Sequence, residues 1–158
     1  MTARDRSELR RPDAPDLKAR FLKWEIVEPR AEQANLLTSE GRLTVRIRLE
    51  VNRPIELGHH GIALFNSAGQ LMWAWSVSSL KLNADVHQLY YTFPFLPLRP
   101  GVYFWHVSLY DDGELIDHWV CTPEMIISTE NHQHSSDKWN GIINVPCDFV
   151  IHKERALV

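Results

Sequence analysis

The sequence predicts an all-β fold, an immunoglobulin-like antiparallel sandwich of about eight or nine strands. Three observations carry this. From Arg42 to Val51, Leu43, Val45, Ile47, Leu49 and Val51 alternate with Arg42, Thr44, Arg46, Arg48 and Glu50. Such a period of two describes a strand with one buried and one wet face. Second, short runs rich in β-branched and aromatic residues recur between clusters of Gly, Pro, Asn and Asp. Third, no segment places its apolar residues convincingly at helical spacing. A closed barrel is the alternative architecture, because period-2 patterning alone does not separate the two.

The elements follow in order. Residues 1–19 are rich in Arg and Asp, carry Pro12 and Pro15, and read as a flexible tail or linker. Residues 20–151 form the sandwich domain, and residues 152–158 a charged C-terminal tail. Phe21 to Val27 is the first strand, with Leu22, Trp24 and Ile26 on one face. A polar connection, Pro29 to Glu40, leads to Gly41 and the alternating strand, which stops at Asn52-Arg53-Pro54. Ile55 to His60 reads as a connection. Gly61 to Phe65, the turn Asn66-Ser67-Ala68-Gly69 and Gln70 to Val77 form a hairpin. Ser78 to Asp85 reads as a loop, and Val86 to Phe93 as a strand with Leu89, Tyr91 and Phe93 opposite Gln88, Tyr90 and Thr92.

Pro94, Pro97 and Pro100 cannot donate to a ladder and carry the chain to the next strand, Val102 to Tyr110. Its two faces differ. Tyr103, Trp105, Val107 and Leu109 are the more apolar set and are expected inside; Val102, Phe104, His106, Ser108 and Tyr110 face outward. Asp111-Asp112-Gly113 is hairpin chemistry. The return strand from Leu115 puts His118 opposite to Asp117 and Trp119. Met125 to Ser128 is a short strand, Thr129 to Lys138 a polar stretch, and Ile142 to Ile151 a last strand that Pro146 marks as an edge or bulge.

Bulk properties narrow the function. A chain of 158 residues suits one domain with a sizeable core. The net charge of −3 gives no electrostatic case for nucleic acid or anionic lipid. The longest apolar run, Leu71 to Val77, is too short to cross a bilayer, so direct membrane insertion is not expected. The charged N-terminus lacks a signal-like apolar segment, which points to the cytoplasm. Two cysteines, Cys121 and Cys147, are too few for a disulfide scaffold, and spacing alone does not say whether they meet. Six tryptophans are the unusual feature, a residue used at binding surfaces as well as in cores.

One succession of motifs resembles a known family. A strongly alternating strand follows Gly41, and a hairpin turn ends in Gly69 before the aromatic strand Leu71 to Trp75. Leu96-Pro97-Leu98-Arg99-Pro100-Gly101-Val102-Tyr103 then matches an "LPL-x-PG-x-Y" pattern. Val107 to Asp111 ends in Asp before Gly113 and Asp117, and Trp139-Asn140-Gly141 precedes the last strand. Together, over roughly residues 20 to 151, these resemble the C-terminal polysaccharide-binding domain of the ATP-binding subunits of O-antigen and related polysaccharide ABC exporters, the Wzt type. The resemblance implies a sandwich that recognises the non-reducing end of an exported glycan in lipopolysaccharide biosynthesis. It also implies a homodimer whose C-terminal strand pairs with the partner, and an ATP-binding domain and membrane subunit as further partners. No G-x-x-x-x-G-K-[ST] occurs, so the chain is expected to be either that domain alone or a stand-alone relative.

Candidate site residues follow from sugar chemistry: aromatic rings stack on the apolar ring faces, and polar side chains bind the hydroxyls. The ligand-binding set is Trp73, Trp75, Tyr90, His106, Tyr110 and His118, with Ser108, Gln88 and Thr92 within reach. Each aromatic also has the ordinary reading of core or interface. His59-His60 and His132-x-His134 offer zinc donors, but no closed four-ligand spacing, and read as loop residues; no metal or cofactor is expected. Asp111, Asp112, Glu114 and Asp117 have calcium and glycoside-hydrolysis readings beside that of an Asp-Gly hairpin. No nucleophile with an evident base is present, so catalysis is not expected. Arg42, Arg46 and Arg48 read as a solvated face, or as a contact for an anionic sugar if they converge. A dimerising or protein-docking module without glycan binding is the alternative function.

Overall fold

The computed structural model describes residues 17–128, 143, 145 and 147–153. Among them are nine strands and no helix. They are β1 (Ala19–Glu28), β2 (Leu36–Leu37), β3 (Leu43–Val51), β4 (Ile55–Asn66), β5 (Leu71–Leu82), β6 (Asp85–Phe93), β7 (Gly101–Asp111), β8 (Glu114–Val120) and β9 (Met125–Ile127). Two sheets share one interior. The first has the order β1-β3-β6; the second has the order β2-β9-β7-β4-β5, with β8 also paired to β7. All pairings are antiparallel except β2 with β9. An open sandwich, not a closed barrel, is the outcome.

Strand β3 behaves as its alternation requires: Leu43, Val45, Ile47, Leu49 and Val51 are buried. On β7, Tyr103, Trp105, Val107 and Leu109 are buried as expected. Removing such residues from water contributes about 1.5–3 kcal/mol each. In β1 the expected inward set is corrected. A bulge between Phe21 and Lys23 breaks the period, so Phe21 is buried and Leu22 is only partly so, while Trp24 and Ile26 stay inside.

The turns obey local chemistry. Asp112 and Gly113 have φ of 49° and 79° and link the paired residues Asp111 and Glu114. Two positive φ values are what a two-residue type I′ hairpin needs. At the β4–β5 turn, Asn66 Oδ1 accepts the Ala68 and Gln70 N–H groups at 3.0 and 2.9 Å. The Tyr103 hydroxyl donates to the Arg99 carbonyl at 2.8 Å. That bond closes the Pro100-Gly101 turn and explains why the PG-x-Y motif ends in tyrosine.

Several boundaries differ from the sequence reading. Ile55 to His60 is not a connection but the first half of β4, and Ser78 to Leu82 is not loop but the end of β5. Both segments ladder with a neighbour, and a sequence window sees only side chains. Leu36-Leu37 adds a short strand inside the polar connection. The expected last strand, Ile142 to Ile151, is not observed among its described residues, where only Ile143 forms an isolated bridge, to Leu98. His132, His134, Trp139-Asn140-Gly141 and most of the expected N-terminal tail lie outside the described residues.

Acidic residues hold the fold together. Asp117 on β8 accepts the Phe21 N–H at 2.9 Å, joining the two sheets at one side. Asp111 accepts the Leu57 N–H at 2.9 Å and pairs with Lys18. The hydrogen bonds from Lys18 and from Leu57 hold its carboxyl below the usual range. Cys121 is buried and Cys147 exposed, and the two form no disulfide.

Candidate functional site

The outer face of the six-stranded sheet carries the candidate site. Register decides which side chains stand there. Ala63 pairs with His106 and Gly61 with Ser108 across β4 and β7, while Ser108 pairs with His118 on β8 and Ala63 with Ala74 on β5. Directly opposed residues share a face. Gly61, Ala63, Ala74 and Ser108 therefore form a floor of small side chains. The Phe65 and His106 rings pack at 4.3 Å, and the His106 and His118 rings lie 6.1 Å apart. Together they bound an open groove of about 320 Å³. Farther along the same face, outside the groove, His59 meets Tyr110 edge-on at 6.5 Å, and its Nδ1 is 2.8 Å from Ser78 Oγ.

The groove sets ring nitrogens beside a floor of small side chains. Neutral imidazole offers one donor and one acceptor, as a sugar hydroxyl does. Gly61 keeps the floor low, since a Cβ there would stand 2.9 Å from Ser108 Oγ. Beneath it, His60 points the other way and is buried. His60 Nδ1–H donates to the Ser108 carbonyl at 2.9 Å. Its other nitrogen then accepts from the Tyr91 hydroxyl. Burial pushes the His60 imidazole below its ordinary pKa. Neighbours in a strand face opposite sides, so His59 and His60 do not share a metal ion.

The sequence-selected residues separate into two places. His106, Tyr110, His118 and Ser108 share the outer face of the six-stranded sheet. Trp73 and Trp75 oppose Leu64 and Ile62, so they point toward the interior side. Trp73 packs edge-on to Phe93 at 4.9 Å and to Trp105 at 6.2 Å. Tyr90, Gln88 and Thr92 do not lie beside β7, as expected from sequence, but on β6 of the other sheet. Trp75 and Tyr90 are 53% and 56% exposed at the open side between β5 and β6. Arg42, Arg46 and Arg48 do not line the groove; Arg46 pairs with Glu25, whose carboxyl it lowers. The floor residues Gly61, Ala63 and Ala74, and Phe65 beside them, were not selected from sequence. The available signal was the small residue at every second position of Gly61-Ile62-Ala63.

The matches to the Wzt C-terminal domain agree with this architecture. The model of the Wzt C-terminal domain family matches residues 14–145. A solved structure, the crystal structure of the C-terminal domain of Wzt, superposes with a TM-score of 0.63 at 13% identity, covering 91% of this chain and 92% of that one. A putative β-galactosidase from Bacteroides fragilis is also similar, with a TM-score of 0.45 and 20% identity over 61% of this chain and 15% of that one. No curated protein matches the sequence. A sandwich of two sheets, a PG-x-Y corner closed by Tyr103 and a family match across most of the chain agree: the protein belongs to the Wzt C-terminal domain family.

Proposed function

We propose that this protein recognises an exported polysaccharide of O-antigen type, at its non-reducing end, for an ABC exporter. It acts by binding and not by catalysis. The observation that carries the reading is the groove on the outer sheet face, with His106 and His118 above small residues and Phe65 beside them. An end-on sugar finds there a low floor, a ring edge and two imidazoles matched to its hydroxyls. In this reading the domain works at the cytoplasmic face of the inner membrane, coupled to an ATP-binding domain and a membrane subunit. No helix among the described residues is long and apolar enough to cross a membrane. The acidic residues support a non-catalytic role, since Asp111 and Asp117 are buried in structural hydrogen bonds.

Titration calorimetry with the polysaccharide of the source strain tests this. The intact chain should bind, and His106→Ala and His118→Ala should each weaken binding roughly tenfold, about one lost polar contact. Unchanged affinity in both variants would remove the groove from the reading.

A second reading is an association module. Phe149, Val150 and Ile151 are 80%, 70% and 79% exposed in a row. Such a segment supports pairing with a second copy. Sedimentation of the full chain against a chain ending at residue 142 separates the cases. A dimer that becomes a monomer on truncation, with no glycan binding by either form, favours association alone.

A further inference from the structure

Strand β5 ends one sheet and β6 ends the other. Between them lies a cleft of about 270 Å³ bordered by Trp73, Trp75, Tyr90, Thr92 and Phe93. We propose that this cleft is a second carbohydrate subsite, which stacks one neutral pyranose ring against Trp75 and Tyr90. The inference rests on the polysaccharide reading and extends it: a bound chain crosses the β5 edge from groove to cleft.

Three features argue for that occupant. The first is exposure. Trp73 is packed under Phe93 and Trp105, whereas Trp75, on the same face, has passed that cover and stands half exposed beside Tyr90. Adjacent aromatics left to water forgo stabilisation from burial and mark a binding surface. The second is size. The cleft falls just below the ~300–1,000 Å³ of pockets for drug-sized ligands, which suits a single ring. The third is polarity. The nearest charge, the Arg46 guanidinium that hydrogen-bonds Tyr90, is already paired with Glu25, so an ionised sugar would go uncompensated there. Its hydroxyls have partners: the Tyr90 hydroxyl donates to Gln88 Oε1 at 2.7 Å, accepts from Arg46 and keeps one further lone pair, and Thr92 Oγ1 lies 3.2 Å from Thr44 Oγ1. Trp75 stands on the edge strand between the two sites, so a chain reaching from groove to cleft passes around β5.

The test is an NMR titration of the full chain with methyl gluco-, manno- and galactopyranoside, reading the tryptophan indole N–H signals. Trp75→Phe assigns the Trp75 signal by its loss. At least one pyranoside should move that signal with a millimolar Kd. Tyr90→Ala should weaken the effect tenfold or more, and His118→Ala should leave it unchanged. Tyr90 is over half exposed, so the variant should keep the melting temperature of the parent. The proposal is overturned if no pyranoside moves the Trp75 signal in the millimolar range. It is also overturned if Tyr90→Ala changes nothing, or if the signal moves only with protein concentration, which would seat a second copy on the cleft. Loss of polysaccharide binding in His106 and His118 variants does not alter this readout, so the groove and the cleft fail separately.

Discussion

The Tyr91 hydroxyl donates to His60 across the interior of the sandwich, linking β6 of one sheet to β4 of the other. The opposite ring nitrogen of His60 donates to the Ser108 carbonyl. Burial, and not these partners, disfavours the protonated ring: the Ser108 carbonyl accepts an N–H in either state and favours the charged form, but loss of hydration outweighs it. Burial raises the Tyr91 pKa as it lowers that of His60, so both groups stay neutral near pH 7.

The burial of His60 makes stability depend on pH. The unfolded chain takes up a proton at His60 near pH 6.5, and the folded chain does so only at lower pH. Stability is therefore unaffected above about pH 6.5 and falls below it, by at most about 1.4 kcal/mol per pH unit from this group. Urea denaturation from pH 7.5 to 5 checks it. His60→Gln should be less stable at pH 7.5 by about 1–3 kcal/mol and should lose this part of the slope.

Asp111 acts in a different window. Its folded pKa is lowered, so its contribution is present above the ordinary carboxylate range and is lost as the pH falls below about 4. Asp111→Ala should destabilise by about 1–3 kcal/mol at pH 7, chiefly by leaving the Leu57 N–H unpaired. The partly exposed Lys18 pair adds little. Chemical denaturation of Asp111→Ala against Lys18→Ala separates the two parts, with the larger loss expected from Asp111.

Gly58 is a packing constraint. A Cβ there would stand 2.9 Å from Ile55 Cγ2 and Leu80 Cβ and 3.1 Å from the Leu80 carbonyl oxygen. Backbone cannot move aside cheaply, so Gly58→Ala should cost about 1–3 kcal/mol. Calorimetric melting should show a Tm several degrees lower.

Ala74 lies on the groove floor and is exposed. Ala74→Phe should fill the groove and reduce polysaccharide affinity at least tenfold, with stability changed by less than about 0.5 kcal/mol. Titration calorimetry paired with a thermal melt measures both. Full affinity with a large side chain at this position would place the ligand elsewhere.

Much of the fold was legible in the chain. The alternation in β3 and the two faces of β7 follow from a rule local to each strand: successive side chains point to opposite sides. Asp112-Gly113 and Pro100-Gly101 encode their turns through φ alone. The bulge at Phe21 was not legible, because it is set by the register of β1 on β3. The extra length of β4 and β5 was hidden for the same reason. Gly58, His59, Ser78 and Ser79 carry weak strand preference, and they are strands because they ladder.

Residue types and local periodicity determined the class of fold, the inward set of most strands and the outward set His106, Ser108 and Tyr110. They also carried the family resemblance through the PG-x-Y turn. Only the tertiary structure decided which strands are neighbours. It put His118 beside His106, lowered the floor between them with Gly61, Ala63 and Ala74, and moved Tyr90 to the other sheet, where it borders the same open edge as Trp75. The physical reason is that side-chain direction is set within a strand, while proximity is set by hydrogen-bonded register between strands far apart in sequence.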